Sequence, residues 1–250
     1  MTSIIIKKDA HIVSIGINRP EKRNSLSLDM FAQISEAVEQ ADADPDCRCV
    51  VIHGLGGHFC SGIDLSAFPK GPSTEAASPV MRLVEAIVGA SVPIVAAVEG
   101  VAAGLGATML LHMDSVVAAD NARIVYSFIN LALPPEAGSS LLLPQLMGYA
   151  RAAELVLLGG TVDADQALRV GLVTRTAPAG TALEEAMQVA ARIATKPPQA
   201  ARRAKKLLKG DTQSLMQRIV EEEAVLFEAA RSAEAAEAMQ AFIEKRPAQY

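Results

Sequence analysis

The sequence predicts an α/β fold whose last third is helical. Three observations carry this. Strand-like and helix-like patterns alternate through the first half. Two of the strands, Val50-Val51-Ile52 and residues 94–98, are continuously apolar and run into glycine-rich turns. From about Ser139 onward the pattern is helical. Apolar strands joined by helical crossovers imply a parallel sheet covered on both faces. The chain has 250 residues, of which 50% are hydrophobic and 20% charged, so it can bury a sizeable core and is not disordered.

The elements follow in order. Residues 4–17 alternate about the turn Lys8-Asp9-Ala10 and predict a hairpin. NRPEKRNSLS then breaks the pattern, with Ser27 placed to cap a helix carrying Phe31, Ile34, Val38 and Ala41 on one face. Asp44-Pro45 ends it. After the strand at Val50 comes HGLGGHFCSGIDL, then a small, polar loop over residues 67–79. Met81, Val84, Ile87 and Val88 mark the next helix, and Pro93 precedes the second apolar strand. The turn from Gly100 to Gly106 opens a helix predicted to run to about His112, followed by short strands at 116–119 and 123–126. Asp163 to Gln166 has the spacing of a capping box, with a carboxylate in place of the hydroxyl. Helical patterns fill 183–194, 199–208 and 215–230, and a last one reaches Lys245. The expected organisation is a core over residues 1–195 and a helical region over 196–250.

Composition excludes several classes. A formal charge of -5 argues against a nucleic-acid partner. The three cysteines, Cys47, Cys49 and Cys60, form no disulfide framework and suit a reducing, cytoplasmic setting. The N-terminus lacks the pattern of a signal peptide. The most apolar stretch, residues 92–114, is interrupted by Pro93, Glu99 and three glycines, short of the ~20 residues a spanning helix needs, so no membrane partner is expected.

Glycine lets backbone approach a ligand and leaves amides unshielded, and the second turn also opens a helix. Two such turns on neighbouring strands could aim two N–H groups at one oxygen, as an oxyanion hole does; tight turns under close packing are the alternative. The spacing is not that of a dinucleotide fingerprint, and no metal-ligand spacing involves His53, His58 or His112. Cys60-Ser61 tempts as a nucleophile, but HFCSG is not G-x-S-x-G. Glu99 reads as a strand-end carboxylate paired with a backbone or basic group, Glu75 and Glu85 as exposed acids. Glu136, three residues before Ser139, reads by position alone as a helix cap. The six Lys/Arg between Lys196 and Lys209 read mostly as a solvated face.

The pair FCSGIDL and PIVAAVEGVAAGLGA resembles the crotonase superfamily of enoyl-CoA hydratases and isomerases. NRPEKRNSLS, LPPEAGSSLLLPQLMG, ALRVGLV and FIEKRPA resemble the same family, in the family's order and nearly end to end. The resemblance implies a crotonase-like (ClpP/crotonase) β-β-α spiral with a C-terminal helical trimerisation region, as a homotrimer or hexamer. It implies a coenzyme A thioester as substrate and no cofactor.

By the same resemblance, the backbone amides of Ile63 and Leu105 hold the thioester oxygen. The hydratases' two glutamates fall at Thr108 and Phe128 and are therefore missing. Glu136 matches the single glutamate of Δ3,Δ2-enoyl-CoA isomerases, which need one base to move one double bond; hydration of a 2-enoyl-CoA, or acyl-CoA binding without turnover, are the alternatives. CoA contacts are implied at Lys22, Arg23, Ser61, Gly62, Asp64, Leu65 and Gly104, and at Phe242 and Lys245, often from a neighbouring subunit. The loop over residues 67–79 is expected to line the acyl pocket.

Overall fold

The computed structural model describes residues 2–64 and 74–250, and their side chains except those of residues 74–78. Leu65 and residues 67–73 of the expected acyl-pocket loop lie outside the described residues, as does the side chain of Glu75; residues 74–79, expected as loop, are helical. The predicted hairpin is β1 (Ile4–Asp9) and β2 (Ile12–Ile17), turned at Ala10 with φ +48°. A 3-10 turn at Pro20–Lys22 leads to α1 (Leu28–Ala43), β3 (Cys49–Gly54) and α2 (Thr74–Gly89). Then come β4 (Ile94–Val98), β5 (Val101–Ala103), α3 (Leu105–Thr108) and a 3-10 turn at Met109–His112. β6 (Ser115–Ala119) and β7 (Arg123–Val125) follow, with a 3-10 turn at Phe128–Leu131. The remainder is α4 (Ser139–Met147), α5 (Tyr149–Leu157), β8 (Thr161–Asp163), α6 (Ala164–Val170), β9 (Arg175–Ala177), α7 (Ala182–Ala194), α8 (Pro198–Lys209), α9 (Thr212–Ala229) and α10 (Ala233–Glu244).

Six strands form one sheet in the order β1-β2-β3-β4-β6-β9, parallel except for the β1-β2 hairpin. A second sheet has the order β5-β7-β8. The chain visits both in turn. β4 of the large sheet continues into β5 of the small one, and β6 continues into β7. This is the β-β-α spiral. Strand periodicity sorts the large sheet's side chains between two cores. Ile15, Ile52, Ala96 and Val116 face α1 and α2, whereas Val51, Val95, Ala97 and Val117 face α7. Ala182, Ala186 and Ala190 give α7 a stripe of small side chains, which lets it lie close on the sheet.

The structure departs from sequence expectation in three further places. The turn after β4 is not simply the start of a helix: residues 101–103 are strand β5, α3 spans only four residues, and the rest is 3-10. Two three-residue strands, β8 and β9, interrupt the helical second half. The basic stretch of α8 is a solvated face only in part, at Arg203 and Lys206. Arg202, Lys205 and Lys209, spaced to share one side of the helix, turn inward. Arg202 binds Asp42 at 2.7 Å and the Ser91 hydroxyl, and Lys205 pairs with Asp114 at 2.6 Å while donating to Val92 O. Lys209 donates to the carbonyls of Ile87 and Val88 at the end of α2. Leu207 and Leu208, 82% and 88% exposed, point out. Sheet edges and helix ends inside the fold offer unpaired carbonyls, and long cationic side chains satisfy them.

Other expectations hold. The capping box at α6 is present, with the Asp163 carboxylate accepting from Gln166 N and the Gln166 side chain accepting from Asp163 N. All three cysteines are buried and free. Among the described residues no helix is long and apolar enough to cross a membrane.

The Lys205–Asp114 pair supports a prediction. Lys205→Met leaves a partly buried carboxylate without its cation, and should lower the unfolding free energy by about 3 kcal/mol. Urea midpoints at unchanged m-value would measure it. Arg82→Ala, which breaks an exposed pair with Glu39, should barely move the midpoint.

Candidate active site

The two glycine-rich turns meet through a single parallel bridge, Cys60 with Ala102. Phe59 N and Cys60 N both donate to Val101 O at 3.1 Å, and Ala103 N donates to Cys60 O at 2.9 Å. The approach is so close that a methyl group at Gly106 would stand 2.2 Å from Cys60 O. Beyond the bridge, Gly62 at φ +93° and Gly104 at φ +53° turn the two chains along each other. A methyl group at Gly62 would lie 2.8 Å from Ala103 O and 3.5 Å from Leu105 N.

On the far side of the first turn, Leu26 bridges Ile63. Leu26 N donates to Gly62 O and Asp64 N donates to Leu26 O. Successive amides along extended chain point to opposite sides, so the Ile63 N–H faces away from Leu26. It has no acceptor among the described residues, and neither has Leu105 N at the first position of α3. Close packing explains Gly106; the juxtaposed Gly62 and Gly104 leave two unpartnered amides side by side.

The loop before Leu26 is held rigidly. Asn24, fully buried at φ +59°, donates to Leu55 O and His58 O. Arg19 pairs with Asp64 at 2.7 Å and donates to Ser25 O. Ser61 donates its amide to Arg23 O and its hydroxyl to Lys22 O. This leaves the Lys22 and Arg23 side chains exposed at the rim of the first turn. His58 Nδ1 accepts from Val101 N and so belongs to the scaffold. Glu99 accepts from Gly180 N and Ala182 N, capping α7 as the bland reading expected. The Cys60 thiol is pushed up to about 12 by burial, which removes it as a nucleophile at neutral pH.

Glu136 does not cap α4. The turn after it is left-handed at Ala137 (φ +55°) and Gly138 (φ +76°). His112, at the end of the run that starts at Leu105, donates its Nε2–H to Ala137 O at 2.7 Å, which ties this turn to the second glycine-rich turn. Burial lowers His112 to about 4, so the ring is neutral. The α4 cap comes instead from Glu222 on α9, whose oxygens accept from Gly138 N at 2.6 Å and Ser140 N at 2.9 Å. The Glu136 carboxylate has no hydrogen-bond partner among the described residues. Burial, then the charge of Glu222, raises it to about 7. Some of the residue's surface stays accessible, so the group is enclosed without being sealed.

A family model described as Enoyl-CoA hydratase/isomerase matches residues 7–250. The chain belongs to the enoyl-CoA hydratase/isomerase family, within the crotonase superfamily. It is 34% identical to 1,2-epoxyphenylacetyl-CoA isomerase of Escherichia coli K12, over 100% of this chain and 98% of that one. It is 33% identical to rat enoyl-CoA delta isomerase 2, over 98% of this chain and 64% of that one. A solved enoyl-CoA hydratase/isomerase from Pseudoalteromonas atlantica T6c superposes with a TM-score of 0.94 at 35% identity, covering 100% of both chains. Pseudomonas aeruginosa OdaA gives 0.93 at 37% identity, over 97% of this chain and 99% of that one.

The two positions at which the sequence resemblance implied missing hydratase glutamates are both buried. Thr108 is fully buried and its hydroxyl donates to Leu105 O; Phe128 is buried at the head of its 3-10 turn. Phe242, 64% exposed, and Lys245 lie at the end of α10, and neither side chain bonds to the turns of the site among the described residues. Two residues that matter here carried no local signal in the sequence. Glu222 sits 84 positions from the amide it caps, and His112 sits 25 positions from its carbonyl.

Two outcomes follow. Gly62→Ala forces a side chain onto a left-handed backbone and against Ala103 O, and should cost about 1–2 kcal/mol of stability, measured by denaturant melts. Glu136→Gln should stabilise the protein at pH 8. Below the ordinary carboxylate value of 4.5 the Glu136 carboxyl is neutral in both folded and unfolded chains; between 4.5 and about 7 only the unfolded chain is ionised, so the native state loses stability across that window and the loss is complete above about 7. The variant's gain in Tm should therefore appear at pH 8 and vanish below pH ~4.5.

Proposed function

We propose that this enzyme shifts a double bond, converting a 3-enoyl-CoA to a 2-enoyl-CoA, with Glu136 as the single acid and base. The observation that carries the reading is a buried carboxylate with no hydrogen-bond partner among the described residues, raised to about 7, on a turn that His112 ties to the run beginning at the unpartnered Leu105 amide. The family acts on acyl-CoA substrates, and two of the relatives above are named as isomerases.

The thioester oxygen lies between Ile63 N–H and Leu105 N–H. Glu136 removes a proton from C2, and the electron pair spreads over a dienolate whose charge falls on that oxygen. The donors are fixed, so they strengthen as charge develops without reorganising. The protonated Glu136 then delivers the same proton to C4, and the double bond comes to rest between C2 and C3. A base near pH 7 matches this double role, because it must both accept and return a proton. Lys22 and Arg23, on the rim, suit the CoA phosphates; Ser61, Gly62, Asp64 and Gly104 frame the slot, and Phe242 and Lys245 would reach a CoA of a neighbouring subunit in a trimer or hexamer. Thr108 and Phe128 carry no carboxylate to activate a water at those positions, which disfavours hydration.

Mass spectrometry in heavy-oxygen water tests the reading. A 3-enoyl-CoA should yield a 2-enoyl product of unchanged mass. A labelled 3-hydroxyacyl product from 2-enoyl-CoA would establish hydration in its place. Glu136→Gln and Glu136→Ala should abolish turnover and leave acyl-CoA binding largely intact. The rate should rise with pH through about 7, as the carboxyl ionises.

A further inference from the structure

Glu222 is a buried acid that the proposed reaction does not use. Its setting is unusual, because two carboxylates compete for one helix end. The N-terminus of α4, which begins three residues after Glu136, is an anion site. Every early amide there is taken. Gly138 N and Ser140 N donate to Glu222, Ser139 N donates to the main-chain oxygen of Glu136, and Leu141 N donates to Gly138 O. The Ser139 hydroxyl also donates to Glu136 O at 2.6 Å. These bonds pin the backbone of Glu136 and leave its side chain no cap to fold onto. α9 is held at this spot by packing: a methyl group at Gly138 would stand 2.6 Å from Leu215 Cδ1 and 3.4 Å from Ile219 Cγ1.

We propose that Glu222 is a positioning residue for Glu136: as an anion on the α4 amides it keeps the Glu136 carboxylate out of that cap and faces it with a fixed negative charge. The proposal rests on the reading of Glu136 as the base. Burial raises Glu222 too, but its backbone hydrogen bonds and nearby Arg218 pull against that, and the Glu136 carboxylate has no such support, so Glu222 holds its charge the more readily of the two. Glu136 then titrates against a charge already in place. The other groups around the pair leave this order intact. On α9, Arg218 also pairs with Glu221 at 3.1 Å, and Glu223 interacts with Glu85 of α2. Beyond α3, His112 is neutral; on α8, Lys209 acts on His112.

Two variants test this with opposite signs. Glu222→Gln keeps the shape and one acceptor but removes the charge. Arg218→Ala, at a half-exposed position, removes the cation and leaves the cap. The Glu136 carboxyl is followed by carbon-13 NMR titration, assigned by its loss in Glu136→Gln, and in parallel the pH profile of isomerisation is recorded. Glu222→Gln should move the Glu136 midpoint down by about one pH unit, and Arg218→Ala should move it up by a smaller step. The acid limb of kcat should follow, with KM little changed. A Glu222 that only held α4 in place would lower Tm and leave the midpoint where it was, and that result overturns the proposal. If the midpoints move but the wild-type enzyme isomerises nothing, the proposal stands and the reading of the reaction falls.

Discussion

The arrangement depends on the bridge between Cys60 and Ala102. It is a short piece of parallel pairing, three hydrogen bonds in all, between the segments that follow β3 and β4. Because β3 and β4 are neighbours in the large sheet, with Val50 opposite Ile94, the chains leaving them start out side by side. The bridge joins them again at Cys60 and Ala102, and Gly106 permits it by presenting no side chain to Cys60 O. Past that point each chain turns through a left-handed glycine, Gly62 or Gly104, and each exposes an amide. The unpartnered N–H groups of Ile63 and Leu105 are thus a product of backbone geometry alone. Their own side chains, an isoleucine and a leucine, answer to the core.

The same bridge fixes what lies further along. The run from Leu105 to His112 is short and tight, so the buried His112 ring stands at a set place below the second turn. Its Nε2–H holds Ala137 O, and the neutrality of the ring keeps a cation away from the carboxylate one residue earlier. From the other side α9 approaches through Leu215 and Ile219. Glu136 is thereby anchored by main chain on both sides while its carboxyl stays unbonded.

Much of the fold was legible because its signals are local. Apolar runs mark β3 and β4, the capping box at Asp163 marks the start of α6, and glycine clusters mark the two turns. β5, β8 and β9 escaped notice because three residues carry too little periodicity to outweigh a helical neighbourhood. The inward face of α8 escaped for a different reason. Composition shows five cations on one short helix, and solvation is the ordinary use of such charge. Only the folded chain reveals that carbonyls of Ile87, Val88 and Val92 and the acids Asp42 and Asp114 face them. Within the site, Glu136 and the glycines stand out by motif. Glu222 sits in a run of three glutamates on an amphipathic helix, and nothing in that run sets it apart.

The contest for the α4 amides joins these points. A helix N-terminus stabilises one anion nearby, and the carboxylate that takes it becomes the better acid. Had Glu136 taken it, as its sequence position suggests, its charge would be well satisfied and it would be a weak base. Because Glu222 arrives from α9 with its own hydrogen bonds, Glu136 is left desolvated beside a like charge, and both effects act in one direction. The native state gives up stability at neutral pH to hold it there. That arrangement lasts only while α9 stays seated on Gly138, and α9 belongs to the helical region that follows the spiral core. The reactivity proposed for Glu136 therefore depends on how firmly α9 packs upon its turn.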